Sequence, residues 1–200
     1  MKATEDIFRA YDIRGVYGEE LDAEIGERVG LAFGNFLRKQ YNGGKISIGC
    51  DARVSSPELQ MAVSKGASRA GFDVDIIGMV PIPVANYFTW KSNLNSEEYV
   101  AGVYITASHN PAEYNGIRFR HPDGTGFTEG NVEIKRIFFE EKLIEYDNGI
   151  ISDLSSEEVL EDYMRFVSNK VGNLTGIKVA LDPVSYTHLR AHETRADVVW

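Results

Sequence analysis

A chain of 200 residues is long enough for one large domain, or for one domain and part of another. Hydrophobic residues at 43% and aromatics at 11% supply a real core and exclude a disordered chain. The formal charge of −9 excludes a nucleic-acid binder, which needs a basic face, but leaves room for a local arginine cluster around a small anion. A single cysteine, Cys50, excludes an internal disulfide and fits a reducing compartment. No run approaches membrane-spanning length and the first residues lack an apolar signal core, so a cytoplasmic protein with no membrane partner is expected.

Ile25, Val29, Ala32, Phe33 and Phe36 recur at helical spacing and predict an amphipathic helix near 22–40, broken by Gly43-Gly44. Lys45 to Gly49 reads as a short strand. Ser55 or Ser56 then caps a helix, with Pro57 in its first turn, Glu58 three residues after Ser55, and a buried stripe of Leu59, Val63, Ala67 and Ala70. Val74, Ile76 and Ile77 predict a further strand in which Asp73 and Asp75 face solvent. A helix is expected over 83–91.

Tyr99 to Ile105 is β-branched and aromatic with little charge, the pattern of a buried strand. Pro111 removes a backbone donor and pushes Asn110 out of helical geometry. The strand must stop at Ser108 and deliver its hydroxyl at the C-terminal edge, where open α/β sheets bind ligands. Asn115-Gly116 is read as the start of a turn, followed by a hairpin-like return through Ile117 and Phe119 to Asp123-Gly124. A helix near 129–143 completes an α/β alternation. Residues 1–146 form the first domain on this reading. Apolar content drops across 147–155, the expected linker, and 156–183 would begin a second α/β domain with a helix and a strand at Ile177–Asp182.

Taken alone, Ser108-His109-Asn110-Pro111 could equally be a strand cap, since these are common loop residues. The wider pattern decides. Ile105 to Pro111 followed by Tyr114-Asn115-Gly116-Ile117 resembles the phosphoserine loop of the α-D-phosphohexomutases. Phe8 to Gly15 resembles that family's N-terminal signature. Gly49 to Leu59 and Gly78 to Pro83 resemble two further segments, in family order. Tyr11-Asp12-Ile13-Arg14-Gly15 with Thr106 to Pro111 is more similar to phosphomannomutase/phosphoglucomutase than to phosphoglucosamine mutase.

The resemblance implies a mixed sheet flanked by helices and the first elements of a second, similar α/β domain. It implies a phosphohexomutase that exchanges hexose 1-phosphate and hexose 6-phosphate, of mannose or glucose, through a hexose 1,6-bisphosphate. Ser108 would be the phosphoserine and one ligand of Mg2+. Arg14 would contact the phosphoserine and the transferred group, although on residues alone a salt bridge to Asp12 or Glu19 serves as well. Tyr11 would line the same cleft or pack beside it. His109 would bind the sugar or assist proton transfer, or be a structural histidine. Asn110 would hold the loop through its amide. Arg118 stands where the family usually carries lysine, and arginine can clamp a phosphate but keeps its proton.

The family's magnesium loop, of Asp-Gly-Asp type, is absent from this sequence, so the other metal ligands are expected elsewhere and the chain alone is expected to be inactive. The resemblance stops after Pro183. Residues 184–200 resemble translated adapter sequence, a non-native tail in which His188 and His192 are too few to make a zinc site. The rival reading is a non-catalytic phosphosugar-binding or regulatory protein of the same fold. A dinucleotide-binding enzyme is excluded because no Gly-x-Gly-x-x-Gly turn follows a strand, and a nucleophile elbow because Ser108 lacks flanking glycines.

Overall fold

A computed structural model describes residues 4–96, 99–127, 130–140, 142–172 and 176. The chain divides into two compact units, Met1–Tyr163 and Met164–Trp200. Among the described residues the first unit carries a six-stranded sheet and its helices. In chain order these are β1 (Ile13–Val16), α1 (Ala23–Leu37), β2 (Lys45–Cys50), α2 (Ser56–Arg69), β3 (Asp73–Met79), α3 (Ile82–Ser96), β4 (Tyr99–Ile105), β5 (Tyr114–Arg120), α4 (Gly130–Glu140) and β6 (Ile151–Asp153). Helix α5 spans Ser156–Val171. Of the second unit, residues 164–172 and 176 are described.

The sheet is mixed, in the order β1-β5-β4-β2-β3-β6. Strands β4, β2, β3 and β6 are parallel neighbours, whereas β5 is antiparallel to both β4 and β1. The parallel centre is buried on both faces, which is why β2 and β4 read as near-continuous apolar runs. On one face Ile46, Ile48, Val103, Ile105 and Phe119 pack with Val29 and Phe33 of α1, Val63 of α2 and Ile137 of α4. On the other, Ile77 and Tyr104 pack with Val84 and Ala85 of α3.

Local sequence fixes the helix ends. Asp22 caps α1, its Oδ1 accepting from Ile25 N at 2.8 Å. Helices α1 and α2 approach so closely that a Cβ on Gly30 would lie 2.2 Å from the Val63 carbonyl oxygen. Ser55 precedes α2 as expected but makes no side-chain cap bond there, because its hydroxyl accepts instead from Asn115 Nδ2 at 2.8 Å.

Two local expectations, for Asn115-Gly116 and for Asp75, are corrected. Asn115-Gly116 lies inside β5, where ladder pairing on both sides overrides its turn tendency. Asp75 is 5% exposed, not solvent-facing, since Tyr99 Oη donates to it and Lys45 Nζ lies 3.6 Å away. The 147–155 stretch contains β6, which pairs with β3 and covers an edge that would otherwise be open. Residues following it, Val159 and Tyr163, pack with the α3 face inside the first unit. The strand expected at 177–182 and the 184–200 tail lie outside the described residues.

Candidate active site

The site stands at the C-terminal ends of β2 and β4, the edge where a parallel sheet offers its loops to a ligand. Strand β4 ends at Ile105, and Thr106-Ala107 carries the chain to Ser108. Ser108 has φ 56°, the one positive value at a non-glycine among the described residues. That left-handed conformation costs an L-residue about 1–2 kcal/mol. It also lifts the side chain out, leaving Ser108 and His109 exposed. Strain of this kind persists only where surrounding bonds enforce it.

Those bonds are visible. Ser108 N donates to Thr106 Oγ1 at 2.9 Å, and Thr106 Oγ1 donates to Asp51 Oδ2 at 2.7 Å. Asn110 N donates to the Ala107 carbonyl at 3.1 Å, closing a tight turn around Ser108. Ser108 Oγ and His109 Nδ1 lie 3.3 Å apart, so one can pass a proton to the other.

Arg14 reaches this loop from β1. Its Nη1 donates to Asn110 Oδ1 at 2.9 Å and its Nη2 to Asp12, which is buried. Arg118 of β5 lies on the same sheet face, its Nε 3.4 Å from Asp12 Oδ2. Two guanidiniums therefore share one carboxylate, and the remaining positive charge invites an anion. Arg14 Nε and Arg118 Nε are both buried without a hydrogen-bond partner among the described residues. Burial, and then the charge of Arg118, pushes Arg120 below its usual value, a second sign of crowded cations.

Five of the residues singled out in the sequence thus gather in one place: Ser108, His109, Asn110, Arg14 and Arg118. The Arg14–Asp12 pair anticipated as an alternative to phosphate contact exists alongside the tie to Asn110. Tyr11 stands beside Asp12 at 66% exposure.

Three residues were not foreseen. Asp51 accepts from Thr106, from Ser56 Oγ at 2.6 Å and from Arg53 N and Nε, both at 3.1 Å. Arg53 extends its guanidinium under the serine loop. Asn115, fully buried, donates to Ser55 and Ser56 and accepts from Gly116 N at 2.8 Å. All three lie in segments that the sequence had marked, Gly49 to Leu59 and Tyr114 to Ile117, but only contacts distant in sequence show their task.

A magnesium ion wants several hard oxygen ligands. Among the described residues no group of three or more His, Cys, Asp or Glu could hold a metal. The carboxylates bonded into this loop and its arginines, Asp51 and Asp12, are spent on hydrogen bonds and ion pairs. The described residues therefore do not fit a complete magnesium site; Ser108 offers one oxygen. No helix among them is long and apolar enough to cross a membrane.

A family model described as phosphoglucomutase/phosphomannomutase, α/β/α domain I, matches residues 5–145. The chain is 36% identical over 177 residues to a probable phosphoglucosamine mutase of Pyrococcus abyssi, covering 88% of this chain and 37% of that protein. It is 32% identical over 167 residues to a phosphoglucomutase/phosphomannomutase of Thermococcus kodakarensis, covering 82% and 36%. Overall identity therefore does not follow the motif-based leaning away from phosphoglucosamine mutase. Among solved structures, a phosphoglucomutase/phosphomannomutase family protein from Burkholderia thailandensis superposes with a TM-score of 0.70 at 31% identity, over 84% of this chain and 36% of that one. The chain spans less than two fifths of the length of these relatives. The chain belongs to the phosphoglucomutase/phosphomannomutase family, and residues 5–145 match its α/β/α domain I.

Proposed function

We propose that this chain is the phosphoserine-bearing part of a phosphohexomutase that interconverts hexose 1-phosphate and hexose 6-phosphate through a hexose 1,6-bisphosphate. The observation that carries the reading is Ser108, held at φ 56° on the sheet edge with Arg14 tied to the same loop through Asn110. Such a hydroxyl can both accept and donate a phosphoryl group. In the forward step the free hydroxyl oxygen of the sugar bonds to phosphorus, the Ser108 Oγ–P bond breaks, and the sugar's proton returns to Ser108 Oγ. His109 Nδ1, 3.3 Å from that oxygen, is the group that relays it.

Phosphorylated Ser108 carries about −1.5 to −2 charges, which need cationic partners. Arg14 and Arg118 supply two, and the forked donors of Arg14 suit phosphate oxygens. Arg118 stabilises charge and takes no part in proton transfer. Magnesium belongs to this reading as a partner of the phosphoserine, with its remaining ligands supplied from outside this chain. The 200-residue chain alone is accordingly inactive. Tyr11, exposed beside Asp12, would line the same cleft on this reading. The relatives' names include glucosamine as well as mannose and glucose, so the substrate is proposed as a hexose phosphate without choosing the sugar.

One observation favours a second reading. Residue 118 is arginine, where the family resemblance implies a titratable lysine, a difference that a phosphosugar-binding protein without turnover would tolerate. Incubating the complete protein with magnesium and glucose 1,6-bisphosphate separates the two. Peptide mass spectrometry should find one phosphoryl group on Ser108 if the mutase reading holds, and an unmodified Ser108 supports the binding protein.

A further inference from the structure

The Gly49–Leu59 motif supplies no group that reaches a substrate in the proposed reaction, yet its Arg53 makes the densest set of bonds at the site. Nη1 donates to the carbonyls of Pro111 at 2.5 Å and Tyr114 at 3.0 Å. Nη2 donates to the carbonyls of Ser108 at 2.9 Å and Asn110 at 2.8 Å. Nε donates to Asp51 Oδ2 at 3.1 Å. A guanidinium has five N–H donors, and here five acceptors of the protein itself take them. Nothing remains with which Arg53 could bind a phosphate. Its side chain is only 12% exposed, and Asp51 balances its charge.

We propose that Arg53 is a positioning residue for Ser108: with Asp51 and Thr106 it holds the serine loop in the shape that presents the hydroxyl. The inference rests on the mutase reading of Ser108. The two peptide units flanking Ser108 are pinned separately. Thr106 Oγ1 holds the amide before the strained torsion, and Arg53 Nη2 holds the carbonyl after it. Both pins converge on Asp51 Oδ2. Asp51 is itself fixed from α2, since Ser56 Oγ donates to its other oxygen at 2.6 Å. The left-handed Ser108 is thereby braced by a rigid helix and two neighbouring strands rather than by its own loop.

Lysine cannot replace this arrangement. Its ammonium offers three donors from one point and cannot bracket carbonyls spread from residue 108 to residue 114.

The test uses the complete protein, assayed for turnover of hexose 1-phosphate and for phosphorylation of Ser108 by glucose 1,6-bisphosphate. Arg53→Lys should lower kcat by about a hundredfold, the scale on which a small misplacement of a reacting group acts, with KM unchanged. Unchanged kcat overturns the proposal. Retained kcat with a raised KM also overturns it, since that marks a substrate ligand. If Arg53→Lys does not fold, Thr106→Val and Thr106→Ser decide. The valine variant should lose kcat and the serine variant restore it, and equal rates overturn the proposal. A wild-type protein that neither turns over nor phosphorylates Ser108 defeats the mutase reading and this inference with it. An active wild type with an equally active Arg53→Lys defeats this inference alone.

Discussion

Gly116 lies directly across from Arg14 in the β1–β5 ladder, and only its missing side chain lets the two strands meet there. A Cβ on Gly116 would sit 2.6 Å from the Ile13 carbonyl oxygen and 2.8 Å from that of Thr106. The same residue accepts from Thr106 N at 3.0 Å through its own carbonyl. Gly116 therefore sets the spacing between the strand that carries Arg14 and the exit that carries Ser108. Both obstructing atoms are backbone, so Gly116→Ala should destabilise the fold by about 1–3 kcal/mol through overpacking. Urea unfolding of the purified protein reads this; an unchanged midpoint would show that β1 and β4 are free to separate.

Arg118 and Asp12 bear on the proton inventory. Arginine keeps its charge across the working range, so the proposed proton relay runs through His109 alone. Arg118→Lys in the complete protein restores the residue type usual in the family and should leave kcat equal to wild type or raised by up to about tenfold, within the range of general acid–base catalysis. Steady-state assays with hexose 1-phosphate check it. A large fall in kcat would mean that the planar guanidinium, shared with Arg14 over Asp12, is itself required.

Helix α4 is tied by charge to the turn that follows α1. Arg136, and after it Lys39, holds the Glu133 carboxyl down at about 2, against an ordinary 4.5. Lys39 Nζ, in the turn just past α1, lies 2.6 Å from Glu133 Oε1 of α4. A depressed carboxylate stabilises the folded state above its unfolded pKa, near 4.5, and loses that contribution as pH falls through about 2. Because the pair is substantially exposed, Glu133→Gln should cost less than about 1 kcal/mol at neutral pH. The gap between variant and wild type should close in acid. Denaturant unfolding at several pH values measures both, and a gap that widens in acid would reverse the sign.

Much of the site was legible because its signals are local. The apolar run ending before Ser108, and Pro111 just beyond, mark where a strand must give way to a loop. The stripe of Ile25, Val29 and Phe33 likewise announces α1. What escaped depends on partners distant in sequence. Asn115-Gly116 has the composition of a turn, but the Asn115 amide is satisfied by Ser55 and Ser56, sixty residues away, and the strand continues. Asp75 follows a pattern that suggests solvent until Tyr99 and Lys45 fold over it. Strand β6 is three residues long and gains its identity from the free edge of β3, which no local pattern records. Asp51 and Arg53 lie in a segment already noticed, yet their task emerges only with the loop 55 residues later.

Replacement of Ser108 tests the proposal at its root. Alanine removes the hydroxyl, and glycine removes it while also accepting φ 56° without strain, so loss of activity in both separates chemistry from backbone fit. In the complete, magnesium-loaded protein, Ser108→Ala and Ser108→Gly should both abolish hexose 1-phosphate isomerisation and leave no phosphoryl group at residue 108. Isomerisation that persists in either variant at the wild-type rate would contradict a phosphoserine mechanism.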